Sequence, residues 1–180
     1  MPLDIFTPPL RTTGHTLKIR PYHSDDEQNL CQLIAAFRLS LAQLRDQPLT
    51  LDLGAAGEEL SGYLEKSFPI YVAETAPGTL VGYLVCRVDG DVAWAESLYV
   101  APEYRRQGVG SSLYIAAEQL AQQLGGDTLY NWVDPNNHTI IRFLRQRGYT
   151  VLNLIELRRA SPGEKTPHKI NVGTNEFDCH

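Results

Sequence analysis

Apolar positions along the chain change period several times, and each period marks an element. Leu17 and Ile19 alternate with polar neighbours in residues 16 to 20, which predicts a short strand closed by Pro21. Ser24-Asp-Asp-Glu27 has capping-box spacing, and behind it Leu30, Leu33, Ile34, Phe37, Leu41 and Leu44 recur at helical intervals. A long amphipathic helix follows, stopped by Pro48. A loop with Gly and Asp leads to a second, short helix holding Leu60, Tyr63 and Leu64. Two strands, 70–74 and 80–88, are separated by Ala76-Pro77-Gly78, and Asp89-Gly90 is a hairpin turn signal. A strand over 92–100 completes an antiparallel meander. A helix over 110–124 turns Leu113, Ala117, Leu120 and Leu124 inward and ends at Gly125-Gly126. Residues 128–133 form a strand that the intervening helix makes parallel to a neighbour. Asp134-Pro-Asn-Asn starts a helix over 138–147, stopped at Gly148, and 151–157 reads as the next strand.

Strand clusters mixed with helices predict an α+β, or mixed α/β layered, domain rather than a doubly wound sheet. With 180 residues the chain has room for one domain. Residues 1–15, with Pro2, Pro8, Pro9 and Gly14, read as an irregular arm, 16–158 as the domain and 159–180 as a polar C-terminal extension. A hydrophobic share of 43% and a charged share of 21% suit a globular protein with a sizeable core. The formal charge of −5 argues against a nucleic-acid partner, because an acidic body repels phosphate backbones. No apolar run approaches the roughly 20 residues that span a bilayer, and the start lacks a basic region followed by an apolar one, so no membrane is expected and the chain reads as cytoplasmic. Cys31, Cys86 and Cys179 are odd in number and far apart, and the five histidines show no ligand spacing, so neither disulfides nor a metal is expected.

The stretch Glu96-Ser-Leu-Tyr-Val-Ala-Pro-Glu-Tyr-Arg-Arg-Gln-Gly-Val-Gly110 runs off a strand, through a basic glycine loop, into a helix. Pro102 has no amide hydrogen and ends ladder pairing after Val100. Gly108 and Gly110 allow conformations closed to other residues and let an anion approach the main-chain amides. The helix beginning near Gly110 points its free amides and positive dipole end at the same spot, and Arg105 and Arg106 add charge-assisted hydrogen bonds. A pyrophosphate fits this site. No G-x-x-x-x-G-K-[ST] occurs, which disfavours nucleotide hydrolysis. Leu113 stands where a dinucleotide fold wants its third glycine, which disfavours nicotinamide binding.

Arg105-Arg106-Gln107-Gly108-Val109-Gly110 resembles the acetyl-CoA loop of the GNAT-type N-acetyltransferase superfamily, Q/R-x-x-G-x-G/A after a strand. Leu98-Tyr-Val-Ala-Pro-Glu-Tyr is similar to the family's lead-in, and Asn137 through Gly148-Tyr149 to its second signature. The motifs cover residues 94–149, and the order of elements extends the likeness to 16–158. The resemblance implies a twisted central mixed sheet flanked by helices, whose fourth and fifth strands splay apart around the pantetheine arm of acetyl-CoA. Those strands are 92–100 and 128–133. By that analogy Leu98, Tyr99 and Val100 offer backbone groups to the pantetheine, while Arg105, Arg106, Gln107, Gly108, Val109, Gly110 and Ser111 hold the pyrophosphate. Asn137 falls on a position that contacts the cofactor; it also reads as a helix N-cap, and the two roles can coexist.

The activity so implied is acetyl-CoA-dependent transfer of an acetyl group to a primary amine by direct attack, with acetyl-CoA as cosubstrate. An aliphatic ammonium has a pKa near 10, so a base, direct or through water, is useful. Glu96, two residues before Leu98, is the candidate, as base or as anchor for the substrate amine, and alternation sets Trp94, Glu96, Leu98 and Val100 on one side; a structural or solvent-facing carboxylate is the competing reading. An amide at Leu98 or Val100 can polarise the thioester carbonyl. Leu144 stands where the family frequently has a tyrosine that protonates the thiolate, which leaves Tyr149, Tyr130, His138 or solvent for that step. Cys86 reads as core. Tyr130, Asn131 and Trp132 either line the acceptor pocket or pack, and Asp46, Asp52, Glu58 and Glu59 surround the loop where the superfamily places acceptor recognition. Two other classes stay open: a non-catalytic acyl-CoA-binding sensor, and a homodimerisation module whose residues 169–180 swap onto a neighbour's sheet.

Overall fold

The computed structural model describes residues 11–12, 15–45 and 47–179. Most of the arm (1–10, 13 and 14), Asp46 and His180 lie outside the described residues. The elements are β1 (Arg11–Thr12), β2 (His15–Thr16), β3 (Lys18–Pro21), α1 (Glu27–Leu44), α2 (Leu53–Glu65), β4 (Ile70–Ala76), β5 (Thr79–Asp89), β6 (Val92–Val100), α3 (Val109–Gln123), β7 (Leu129–Asn131), α4 (His138–Gln146), β8 (His168–Val172) and β9 (Asn175–Cys179). The described residues fall into two compact units: those up to 41 with 49–132, and those of 42–48 with 133–179.

The first unit carries a five-stranded mixed sheet, ordered β3-β4-β5-β6-β7. The meander is antiparallel as its turns demand, and β7, reached through α3, is parallel to β6. Tyr83 and Val85 of β5 and Tyr99 of β6 face a core built with Leu30, Ile34 and Ala35 of α1 and Ala56, Leu60 and Tyr63 of α2. Alternation puts Gly82 on the other face, where a Cβ would lie 2.8 Å from Tyr99 O and 3.4 Å from Leu113 Cδ1. The missing side chain lets α3 lie close on the sheet, with Leu113, Tyr114 and Ala117 fully buried. Helices therefore cover both faces.

The first helix begins differently from the sequence pattern. A 3₁₀ turn over Ser24–Asp26 precedes α1, and the capping carboxylate is Asp26, which accepts from His23 N at 2.9 Å. Asp26 also takes both Nη atoms of Arg20 at 2.6 and 2.8 Å, while Glu74 takes Arg20 Nε and Nη2 at 3.0 and 3.1 Å. One guanidinium thus ties β3, the head of α1 and β4 together. Its hydrogen bonds hold both carboxyls below the ordinary carboxylate range.

In the second unit α4 is capped by Asn137, whose Oδ1 accepts from Ile140 N at 3.2 Å, and Arg45 Nε meets Asp134 Oδ2 at 2.8 Å. The strand expected over 151–157 is not formed. Val151, Leu152, Leu154, Ile155 and Leu157 are exposed and belong to no ladder among the described residues. Apolar alternation makes a strand only where a partner edge supplies hydrogen bonds. The extension instead contains a hairpin, β8 with β9.

Candidate active site

The site grows from an irregularity in β6. Val85 faces Ser97 across the β5–β6 ladder while Cys86 faces Ala95, so Glu96 is an extra residue without a partner. The bulge overturns the simple alternation expected for this strand. Trp94 opposes Arg87 on the face of Tyr83 and Val85, whereas Leu98 opposes Leu84 on the face of α3. Ser97 is buried and shares a 2.8 Å hydrogen bond with Tyr83 Oη.

The same point ends pairing on the other side of β6. The parallel ladder to β7 comprises Ala93↔Leu129, Trp94↔Tyr130 and Ala95↔Asn131 and stops there. The edge of Glu96 to Val100 is open towards β7. Ala101 N donates to Val81 O at 2.9 Å, so the period of two turns the amides and carbonyls of Leu98 and Val100 towards that open edge and those of Tyr99 towards β5. The Tyr99 ring is buried in the α1–α2 core.

At the end of the open edge lies the loop. Arg105 Nε donates to Val100 O at 2.8 Å, with its guanidinium carbon 5.4 Å from the Tyr99 ring centre. Gln107 Nε2 donates to Glu103 O at 2.8 Å. Arg106 has φ 59° and Gly108 φ 85°, both left-handed. For glycine this is free; for arginine it costs about 1–2 kcal/mol, a strain of the kind found at binding loops. Gly108 is the N-cap of α3 and offers no side chain, and the first i→i−4 bond there is Ser112 N to Gly108 O at 2.9 Å. The amides of Val109, Gly110 and Ser111 therefore have no partner inside the helix. Arginines, left-handed backbone and an uncapped helix start suit a diphosphate, and the open strand edge suits an amide-bearing chain.

Glu96 is one-quarter exposed, and its Oε2 lies 3.9 Å from Arg87 Nε. Tyr63 of α2 senses the Glu96 charge, although burial and its hydrogen bond to Glu59 do more to raise that phenol. Other expected candidates are occupied elsewhere. Glu59 takes Arg38 at 2.6 and 2.5 Å and the hydroxyl of Tyr63, and Asp52 caps α2 by accepting from Ala55 N at 2.9 Å. Tyr130 packs against Trp94, with ring centres 5.8 Å apart, and Asn131 accepts from the Tyr114 hydroxyl. Trp132 is exposed, with its ring centre 4.2 Å from the Arg87 guanidinium carbon. Burial pushes the Cys86 thiol up to about 12, which suits a core residue and not a nucleophile. Asn137 and the buried Leu144 belong to the second unit. The sequence reading passed over Arg87 and the bulge: a strand with one extra residue has no signature in the run Ala-Trp-Ala-Glu-Ser-Leu.

A model of the acetyltransferase (GNAT) family matches residues 37–149. Among solved structures, the fold is similar to an aminoglycoside acetyltransferase from an uncultured soil metagenomic sample, at 22% identity and TM-score 0.61 over 81% of this chain and 95% of that one. It is similar to the PaiA N-acetyltransferase of Thermoplasma acidophilum in complex with coenzyme A, at 18% identity and TM-score 0.62 over 73% of this chain and 87% of that one. A third structure is AAC(6')-Iy with the bisubstrate analogue CoA-S-monomethyl-acetylneamine, at 19% identity and TM-score 0.55 over 81% of this chain and 98% of that one.

Proposed function

Because the chain belongs to the acetyltransferase (GNAT) family, we propose that it transfers the acetyl group of acetyl-CoA directly to a primary amine, with Glu96 as the base. The observation that carries this reading is the end of the β6–β7 ladder at Ala95 and Asn131, one residue before Glu96, which opens a strand edge leading straight into the glycine loop. Amine-acetylating enzymes among the similar folds support the acceptor class.

Acetyl-CoA supplies a thioester carbonyl when bound. The amides of Leu98 and Val100 hydrogen-bond its pantetheine arm and can polarise that carbonyl. Arg105, Arg106, Gly108 and the amides of Val109, Gly110 and Ser111 hold its diphosphate, with Gln107 bracing the loop from within. Asn137 is the cap of α4, and the family motif supports a second role for it towards the cofactor. Glu96 removes a proton from the acceptor ammonium, leaving the nitrogen lone pair free to attack. The nitrogen bonds the acetyl carbon as the carbon–sulfur bond breaks, its second proton passes to solvent, and the sulfur departs as a thiolate, a tolerable leaving group because a thiol pKa is about 8.5. Leu144 favours one competing reading, an acyl-CoA-binding module without turnover, because no tyrosine stands there to protonate a thiolate. Thiol release from acetyl-CoA over a panel of primary amines tests the enzyme; release at background with every amine removes it in favour of the binding module.

A further inference from the structure

We propose that Arg87 is a positioning residue for this site: its guanidinium, gripped by Trp94 and Trp132, fixes the Glu96 carboxylate where β6 parts from β7. The proposal rests on the reading of Glu96 as base. Three observations carry it. The Arg87 guanidinium carbon lies 4.2 Å from the ring centres of both Trp94 and Trp132, so two aromatic faces hold it by cation–π contact. Trp94 is braced in turn by Tyr130.

Second, Arg87 differs from the structural arginines of the same unit. Arg20 spends its donors on Asp26 and Glu74, and Arg38 makes a two-pronged bond to Glu59. Those pairs are closed. Arg87 and Glu96 stand 3.9 Å apart, and neither Arg87 Nε nor Glu96 Oε2 has a hydrogen-bond partner although both atoms are buried. Leaving such atoms without hydrogen bonds costs stability, and the fold gains no closed ion pair in return. The two rings hold the cation with its Nε 3.9 Å from the carboxylate oxygen.

Third, Glu96 is the unpaired residue of the bulge, so the β5 ladder does not fix it as it fixes its neighbours. Arg87 on the adjacent strand supplies the missing restraint.

Arg87→Met, Arg87→Lys, Glu96→Gln and the double variant Arg87→Met/Glu96→Gln test this by steady-state kinetics, with thermal melts and CoA calorimetry as controls for folding. Arg87→Met is expected to lower kcat about tenfold while KM for acetyl-CoA and the CoA Kd stay within twofold. Lysine at 87 should recover part of the loss, and in the Glu96→Gln background Arg87→Met should cost less than twofold more. Wild-type kcat for Arg87→Met, or a full tenfold loss added to that of Glu96→Gln, overturns the positioning role while leaving Glu96 as base. Undiminished activity of Glu96→Gln overturns the base itself. Should Arg87→Met fail to fold, Trp132→Leu, which removes one gripping ring at an exposed position, is expected to lower kcat severalfold with unchanged KM for acetyl-CoA; wild-type kcat there equally overturns the role.

Discussion

Ala95 and Asn131 form the last pair of the parallel ladder, and the next residue of β6 is the unpaired Glu96. One bulge therefore does two things: it projects a carboxylate out of register and frees the strand edge beyond it. If Glu96 is the base, its service is greatest where the acceptor is protonated. Glu96→Gln is expected to lower kcat/KM at least tenfold near pH 7 and much less above pH 9.5, since a typical aliphatic amine with a pKa near 10 then supplies free base unaided. A pH–rate profile parallel to the wild type would remove Glu96 from the proton path.

Stability makes a separate prediction through Arg20. Its bonds depress both the Asp26 and Glu74 carboxyls, so their contribution is present in full above the unfolded values near 4 and is lost as pH falls through the lower folded ones. Asp26, with 5% of its side chain exposed, is stranded when the guanidinium goes. Arg20→Met should cost about 3 kcal/mol at pH 7, and the gap from wild type should narrow as both proteins are taken below pH 4. Urea unfolding at several pH values measures it; a gap independent of pH would mean the loss is one of packing.

How much was legible in the sequence follows from how local each signal is. The strand over 92–100, the Asp89-Gly90 turn and the helix behind Gly108 each depend on neighbours a few positions away, and all three elements stand where the pattern put them, although the bulge breaks the strand's alternation. The glycine loop was legible for the same reason. What the chain could not disclose depends on partners: the bulge at Glu96 arises from register against β5, the Arg87 grip joins residues of β5, β6 and the end of β7, and 151–157 lacks the edge its alternation anticipated. The left-handed Arg106 is likewise imposed by the loop, since nothing about arginine favours it.

Gly108 allows a test of the loop's backbone. Its φ of 85° admits valine only with strain of about 1–2 kcal/mol, which the loop escapes by changing conformation and misdirecting the amides of Val109 and Gly110. Gly108→Val is expected to weaken CoA at least tenfold in calorimetry and to shift the melting temperature by only a few degrees. Wild-type CoA affinity would mean that these amides do not hold the cofactor.

Asn137 carries two proposed roles that a conservative change separates. Serine caps a helix nearly as well as asparagine, whereas alanine costs about 1 kcal/mol. If Asn137 also contacts the cofactor, Asn137→Ser should raise KM for acetyl-CoA severalfold while the melt is unchanged, and Asn137→Ala should lower both affinity and melting temperature. An unaltered KM in Asn137→Ser would leave capping, seen in the bond from Ile140 N, as the residue's whole role.

Arg105 and Arg106 divide the labour at the loop. Arg105 is anchored to Val100 O by Nε, which leaves its remaining N–H groups at the end of the open edge, while Arg106 owes its direction to a left-handed backbone. Both serve a diphosphate in the proposed reading, so charge reversal should harm ligands in proportion to their phosphate content. The pair Arg105→Glu and Arg106→Glu is expected to weaken CoA by a hundredfold or more and pantetheine, which has the amide arm but no phosphate, by less than threefold. Calorimetry with both ligands measures this directly. Equal losses would place the effect in the shape of the loop or the strand edge beside it, and the assignment of the two guanidinium groups to phosphate would fall.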